Sequence, residues 1–305
     1  MASPKYFVDV PDDKRTWKKA AEKASIDQKS LRWCQNLRSG SKITHEQFLL
    51  FRAICPDARH SNTFNEATHH LDMELLDARQ YLAGSLAFQN FLIAIEQPAT
   101  QTLEEFNRFD TTLLQLREVM ASSDPDPNDH ELAVTDETSV NSSLISFLQA
   151  TAATIPGPEY QWRSARVRLT ANFGTPTNSN QYIAFTDGQL QHIVNKNILA
   201  IAECKRYERS SHQPAVEMQE VGQVVAWLKS YPSSNDRYTL ISQNGSEIYV
   251  TFPHFQRNWA RYIDRGTGAP SELMVMIKYG PFKINSRRSM QQFAEIALAV
   301  ILSAR

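Results

Sequence analysis

The sequence predicts an α/β fold, in which helices flank a mixed β-sheet, preceded by a mainly α-helical N-terminal region. The first half of the chain has apolar residues at helical spacing, whereas the second half alternates helical segments with short apolar runs of strand length. Between them, "SSDPDPNDHE" has two prolines and four acids, a composition typical of a linker. We place the boundary near residue 128, which predicts a helical region at residues 1–128 and a second domain at residues 129–305.

Composition and cysteine usage indicate an intracellular globular protein. Apolar residues make up 42% of the chain and charged residues 21%, which is ordinary for a globular protein. The three cysteines are scattered and form no C-x-x-C pair, so neither a zinc knuckle nor a disulfide framework is predicted. The N-terminus lacks the apolar core of a secretory signal, and no apolar run approaches the roughly eighteen residues of a membrane helix. We expect a cytoplasmic or nuclear protein without membrane contact.

Five segments of the first half have the apolar spacing of helices. They are "TWKKAAEKAS", "QKSLRWCQNLRSG", "THEQFLLFRAI", "MELLDARQYLAGSLAFQNFLIAIE" and "TLEEFNRFDTTLLQLREVMASS", the last of which opens at Gln101 or Thr102. Residues 17–37 also have the rhythm of a helix-turn-helix, with Lys29 and Arg32 directed outward. A plain helical hairpin has the same rhythm, so this segment predicts either simple packing or the DNA-binding element of a regulator.

The second half opens with the helix "TDETSVNSSLISFLQATAATIP", whose N-cap is Thr135 or Asp136. "QWRSARVRLTANFG" and "QYIAFTDGQL" alternate as strands do, and "ILAIAECK" has the apolar run of a central strand. A long helix runs from Pro214 to just before Pro232. The Asn-Gly in "RYTLISQNGSEIYVTF" predicts a tight hairpin. The helix "HFQRNWARYID", the strand "ELMVMIKYGPF" and the helix "SRRSMQQFAEIALAVILSA" complete the chain.

Charged side chains follow the apolar run of the third strand. Strand alternation directs Leu199, Ile201, Glu203 and Lys205 to one face, so Glu203 and Lys205 emerge side by side where the strand leaves the core. Asp187 ends the preceding strand, just before a glycine that we expect to start a turn. Hard divalent cations prefer one or two carboxylates together with water and phosphate oxygens. These residues predict half of a metal site, and the alternative is an ion pair at a frayed strand end.

Two polar pairs on the neighbouring helices are further candidates. Glu137 and Asn141 lie four residues apart on the preceding helix, and Gln219 and Gln223 lie four apart on the following one. Glu137 also suits the first turn of a helix for electrostatic reasons alone. Asn141 is interpreted as a surface residue. Gln219 and Gln223 belong either to the site or to the polar face of an amphipathic helix, and the polar face is the preferred interpretation for Gln223 alone.

The order Asp187, then Glu203–Cys204–Lys205, resembles the D…(D/E)-x-K signature of the restriction-endonuclease-like, or PD-(D/E)XK, superfamily. Residues 131–303 are most similar to uncharacterised fungal PD-(D/E)XK nuclease-like proteins. This similarity rests on "DETSVNSSLISFL", "TDGQL", "AIAECK", "EMQEVGQVVAWL", "LISQNGSEIYVTF" and "MIKYGPF". Thr186 stands where the motif has proline, and Cys204 replaces a bulky apolar residue. Neither departure removes a catalytic group.

The resemblance implies a restriction-endonuclease-like sheet and a role for each matching residue. Asp187, Glu203 and the backbone carbonyl of Cys204 would bind Mg²⁺ or Mn²⁺, and Glu137 would complete the metal site. Lys205 would orient water and stabilise negative charge. The glutamine that the family often carries on the next helix matches Gln219, or Gln223 one turn later.

The expected function is Mg²⁺-dependent hydrolysis of phosphodiester bonds in a nucleic acid, DNA or RNA. Residues 151–305 contain 17 basic and 11 acidic residues, a formal charge of +6 that permits phosphate contact. The alternative is a catalytically silent protein of the same fold that binds a protein or nucleic-acid partner, because a fold does not guarantee its chemistry. The sequence does not indicate an oligomeric state.

Two other groups of residues were weighed as sites. His69 and His70 suggest a metal, but adjacent histidines on a helix point in different directions, so we interpret both as surface residues. Tyr249, Phe252, His254, Phe255 and Trp259, with Arg257 and Arg261, could stack on bases. Packing of the hairpin against its following helix is the preferred interpretation of this aromatic stretch.

Overall fold

A computed structural model of the chain describes residues 5–34, 36–97, 107–123, 136–175, 180–232 and 237–304. The helices are α1 (Lys14–Lys23), α2 (His45–Leu50), α3 (Asp72–Gly84), α4 (Leu86–Ala94), α5 (Arg108–Ser123), α6 (Glu137–Ala152), α7 (Ala215–Ser230), α8 (Arg257–Arg265) and α9 (Arg287–Leu302). The strands are β1 (Ala53–Ile54), β2 (Tyr160–Arg163), β3 (Arg168–Asn172), β4 (Gln181–Phe185), β5 (Gly188–His192), β6 (Ile198–Lys205), β7 (Thr239–Asn244), β8 (Glu247–His254) and β9 (Met274–Lys283). The predicted linker from residue 124 onward, the boundary at residue 128, and Gln101, Thr102 and Thr135 lie outside the described residues.

Seven of these strands form one mixed sheet, in the order β1-β9-β8-β7-β6-β5-β2. The pairs β6–β7 and β1–β9 are parallel, and the other neighbouring pairs are antiparallel. A separate two-stranded sheet contains β3 and β4. The predicted α/β class with a mixed sheet and flanking helices is confirmed. No helix in the described ranges is long and apolar enough to span a bilayer.

Each face of the main sheet is covered by a hydrophobic core. One core joins the sheet to α3, α4, α5, α6 and α9, and the other joins it to α1, α2, α7, α8 and the small sheet. Leu75 and Leu148 meet in the first core, and Phe48 and Val224 in the second. Both cores therefore contain residues from before and after the predicted boundary, and β1 from the first half joins the sheet beside β9.

The predicted helix-turn-helix at residues 17–37 is wrong. Helix α1 forms, but its successor is a single 3-10 turn at Leu31–Trp33. The backbone there makes one short turn, in which the Trp33 N–H donates to the Ser30 carbonyl at 2.9 Å, and it also bonds to distant residues. The Leu31 N–H donates to the Tyr262 hydroxyl at 3.1 Å. Arg32 is exposed, and its side chain donates to the backbone carbonyls of Phe173 and Arg265. Tertiary hydrogen bonds hold this single turn where the second helix was predicted.

The strand-like segments "QWRSARVRLTANFG" and "QYIAFTDGQL" each divide into two strands, because the chain passes between the two sheets. Thr186 still pairs with Val167 at the end of β3, through its N–H at 3.2 Å and its hydroxyl at 3.0 Å. The next N–H, of Asp187, donates to the carbonyl of Ala202 on β6 at 3.0 Å. Asp187 therefore lies at the junction of the two sheets, between β4 and β5.

Strand β6 alternates as predicted over its second half. Ala200, Ala202 and Cys204 face one core, while Ile201 faces the other, on the side of α7. Leu199 is an exception, since it packs with Ala200 in the first core. The register with β5 shifts between Leu190 and Gln191, and such a bulge reverses the alternation before it.

The aromatic stretch after β8 packs as the preferred interpretation expected. Trp259 is fully buried, and its ring lies 5.0 Å from that of Phe255. Its indole N–H donates to the carbonyls of Phe51 and Arg52 at 3.0 Å. The hairpin itself is confirmed, with Gly245 in the left-handed region at φ +57°. This part of the chain fixes α8 against the second core.

Candidate active site

Asp187 is held by donors from three different elements. Its carboxylate accepts the Cys204 N–H of β6 at 2.9 Å through Oδ2, and it accepts Arg166 Nη2 at 3.0 Å through Oδ1. Its backbone carbonyl accepts Asn141 Nδ2 of α6 at 3.1 Å. The residue is 5% exposed. The carboxylate therefore lies directly beside the strand that carries Glu203 and Lys205, as the sequence predicted.

Close packing between α6 and β5 brings Asn141 to the site. Gly188 begins β5 rather than the expected turn, and a Cβ there would lie 2.3 Å from Cδ1 of Ile145 and 3.0 Å from the Arg163 carbonyl. Only glycine leaves room for the helix at this distance. The interpretation of Asn141 as a surface residue is wrong, because its side chain bonds the backbone at Asp187.

Glu203 is surrounded by side-chain donors. Its Oε1 accepts from both Lys205 and Gln219, and its Oε2 accepts from Gln223. Gln219 and Gln223 lie one turn apart on α7, so both reach the same carboxylate. The sequence left open which glutamine belongs to the site, and in the structure both side chains contact the Glu203 carboxylate. The interpretation of Gln223 as part of a polar surface is wrong, since it is 1% exposed.

Lys205 connects the carboxylates of the site. Its Nζ lies 2.5 Å from Glu203 Oε1, 3.0 Å from the Cys204 carbonyl and 3.8 Å from Glu137 Oε1. The lysine side chain is 17% exposed, so its ammonium is mostly removed from water. Glu137 begins α6, where Asp136 is the N-cap, and its side chain is half exposed. Glu137 thus contacts the site through the lysine.

Burial and neighbouring charge shift the acid–base properties of the site. Burial, reinforced by the Asp187 carboxylate, raises the pKa of Glu203 to about 8, while hydrogen bonds from Lys205 and Gln223 act in the opposite direction. Burial disfavours the charge on Lys205, but Glu203 and Glu137 outweigh it and raise the pKa of the ammonium. A divalent cation placed between the carboxylates would favour their ionised forms.

The residues that could hold a hard divalent cation are Asp187, Glu203 and the Cys204 carbonyl. Mg²⁺ takes one or two carboxylates together with carbonyl oxygens and water. Two of the predicted ligands, the Glu203 carboxylate and the Cys204 carbonyl, lie close enough together to contact one cationic group, the Lys205 ammonium. Among the described residues, no three His, Cys, Asp or Glu side chains converge as a metal site. The predicted cation would instead be held by two carboxylates and a backbone carbonyl, with its remaining positions left to water or phosphate.

Arg166 is the site residue that the sequence did not reveal. It follows β2, and its guanidinium pairs with Asp187 although its side chain is 62% exposed. No local pattern marks it, because "QWRSARVRLT" has three arginines of similar context. Its position depends on the passage of the chain between the two sheets, which is a tertiary feature.

Neither the protein-family models nor the curated proteins with which the chain was compared match it. The arguments for function therefore come from the site itself.

Proposed function

We propose that this protein is a metal-dependent nuclease with a restriction-endonuclease-like fold, which hydrolyses phosphodiester bonds in DNA or RNA. The proposal depends on one observation above all: Asp187, Glu203 and Lys205 share one network at the junction of β5 and β6. The sequence resemblance assigns chemistry to the same three residues. Gln219 and Gln223 add support, because they orient the Glu203 carboxylate from α7.

Each residue has a distinct task in this proposal. Asp187, Glu203 and the Cys204 carbonyl would hold Mg²⁺ or Mn²⁺, which supplies water activation and charge neutralisation when bound. The Cys204 N–H orients Asp187, so the ligand on one strand is fixed by the other. Lys205 presents an ammonium to the attacking water or to the phosphate, where negative charge develops. Glu137 lies near enough to hold that ammonium in place.

A second candidate function is a non-enzymatic binding protein with the same fold. Its support is the pairing of both carboxylates with protein cations, Asp187 with Arg166 and Glu203 with Lys205. This pairing balances the two negative charges without a metal. Such a protein would bind a protein or nucleic-acid partner and leave phosphodiester bonds intact.

Cleavage assays separate the two functions. Plasmid, single-stranded DNA and RNA are incubated with the protein and Mg²⁺ or Mn²⁺, and again with EDTA. We expect metal-dependent cleavage of at least one substrate, lost in Asp187→Asn and retained in Asp57→Asn, which changes an exposed aspartate. Binding without cleavage under all metal conditions would support the second function and refute the first.

A further inference from the structure

A cavity of ≈ 730 Å³ lies at the opposite end of the sheet from Asp187, Glu203 and Lys205. Its walls include Leu199 near the start of β6, Thr239 at the start of β7 and His254 at the end of β8. Leu199 and Lys205 are six residues apart on one strand, which corresponds to ~20 Å at the usual rise. The cavity is therefore separate from the proposed nuclease site.

A chain of hydrogen bonds inside the protein ends at this cavity. Arg59 Nη1 donates to the Tyr279 hydroxyl at 3.3 Å, and that hydroxyl lies 3.0 Å from His69 Nε2. His69 Nδ1 in turn lies 3.3 Å from His254 Nε2. His69 is 7% exposed and is stacked on Phe252 with ring centroids 4.0 Å apart, so its surface interpretation is wrong. His70, in contrast, is exposed.

The hydrogen bonds from Arg59 to His254 can all be assigned with the donor on the Arg59 side. Arg59 can only donate, so the Tyr279 oxygen accepts from it, and we assign the Tyr279 hydroxyl as the donor to His69 Nε2. Burial lowers the pKa of His69 to about 4, and burial also lowers that of His254, so both rings are neutral near pH 7. His69 then donates from Nδ1 to His254 Nε2. The hydrogen of His254 is left on Nδ1, on a ring that lines the cavity.

Among the described lining residues, Arg237 offers a cationic group to an anion that hydrogen-bonds to His254. Arg59 and His70 both act electrostatically on His69 and His254, and Arg237 lies on the cavity wall. Arg237 uses Nη1 for the Ser303 carbonyl, and its guanidinium has further N–H groups to donate. Glu74 is the acidic side chain among the described lining residues.

Part of the wall is apolar and aromatic, within a lining that is more polar than apolar. Leu199, Phe252, Phe255 and Val300 line the cavity, which suits the flat hydrocarbon body of a small molecule. Its volume lies within the range of about 300–1,000 Å³ found for small-molecule pockets. A few polar groups beside an apolar surface are a common way of orienting such a ligand.

We propose that this cavity binds a small organic anion, in which an aromatic body packs on Phe252 and Phe255 and an acidic group accepts a hydrogen bond from His254. The acidic group is a carboxylate, sulfonate or phosphate, and Arg237 adds a second cationic contact. Tyr279 and His69 are positioning residues, since they determine which nitrogen of His254 donates.

The probe for this test is 1-anilinonaphthalene-8-sulfonate, with N-phenyl-1-naphthylamine as its uncharged counterpart. Fluorescence titration of the full chain should show tighter binding of the sulfonate. In His254→Phe the sulfonate should bind about 10-fold more weakly, because a hydrogen bond to a charged group is lost, while the neutral probe changes little. His60→Phe, an exposed histidine outside the cavity, is the matched control and should leave both affinities unchanged.

Leu199→Trp provides an independent test by filling the cavity, and it should weaken the binding of both probes at least about 10-fold. Thermal unfolding confirms that each variant is folded before titration. Equal affinities of the two probes for the wild type, or sulfonate binding that neither variant alters, would overturn the proposal.

Discussion

Replacing Lys205 with methionine is expected to lower the rate of metal-dependent cleavage about 100-fold or more. Methionine keeps much of the length of the side chain but removes the ammonium that faces the developing negative charge. Loss of one preorganised donor of this kind typically costs about 10²–10³ in rate. The measurement is a single-turnover cleavage rate at saturating Mg²⁺, so that altered metal affinity does not contribute.

The matched control for this prediction is Lys18→Met. Lys18 lies on α1 with a side chain that is 68% exposed, and its ammonium is 3.7 Å from Glu22. Its replacement should leave the rate within a factor of about 2, as expected for a surface substitution outside the site. A Lys205→Met protein that cleaves at the wild-type rate would remove the lysine from the mechanism.

Replacing Glu220 with alanine is expected to destabilise the fold by about 3–5 kcal/mol, because it removes the carboxylate to which the buried Arg209 donates twice. Arg209 donates to both Glu220 oxygens, at 2.8 and 2.5 Å. Lys278 lies 3.8 Å from Glu220 and 2.9 Å from Glu217. Arg209, Glu220 and Lys278 are all at most 5% exposed. Urea unfolding at neutral pH measures the difference, and Glu22→Ala on the surface should cost no more than about 0.5 kcal/mol.

The effect of Glu220→Ala should also depend on pH. Burial opposes the charge of Glu220, but Arg209 and Lys278 hold its pKa at about 2, below the ordinary value of 4.5. A carboxylate with a lowered pKa stabilises the fold fully above its unfolded pKa and loses this contribution as the pH falls toward its folded pKa. The difference between wild type and variant should therefore be largest above about pH 5 and shrink toward pH 2. A difference that does not depend on pH would contradict this account of the cluster.

This buried cluster also contributes to the candidate site. Glu217 and Glu220 attach α7 to β9 through Lys278, while Gln219 and Gln223 on the same helix contact Glu203. The ionic contacts thus fix the helix that orients the carboxylate.

Local patterns were sufficient to predict much of the site. The alternation of β6 placed Glu203 and Lys205 on one face, and helical spacing placed Gln219 and Gln223 one turn apart. These features depend on chain geometry over a few residues. Whether one or both glutamines reach Glu203 depends on the distance between α7 and β6, and no local sequence pattern predicts that distance.

Features that depend on contacts between distant residues were either not predicted or predicted wrongly. The 3-10 turn that replaced the second helix of the predicted helix-turn-helix is held by Tyr262, which is more than two hundred residues away. The Arg166–Asp187 contact requires the chain to leave one sheet for the other. His69 is buried because Phe252 and Tyr279 cover its ring.

Calorimetric titration with Mn²⁺ tests the central claim most directly, since the claim is that Asp187 and Glu203 form one metal site. We predict one-site binding to the wild type, its loss in Asp187→Asn and its retention in Asp57→Asn. Because the metal must displace a proton from Glu203 below about pH 8, the affinity should rise from about pH 6 to about pH 8. If the wild type binds no Mn²⁺, or if Asp187→Asn binds it as the wild type does, the proposed metal site is contradicted, and so is the proposed nuclease function.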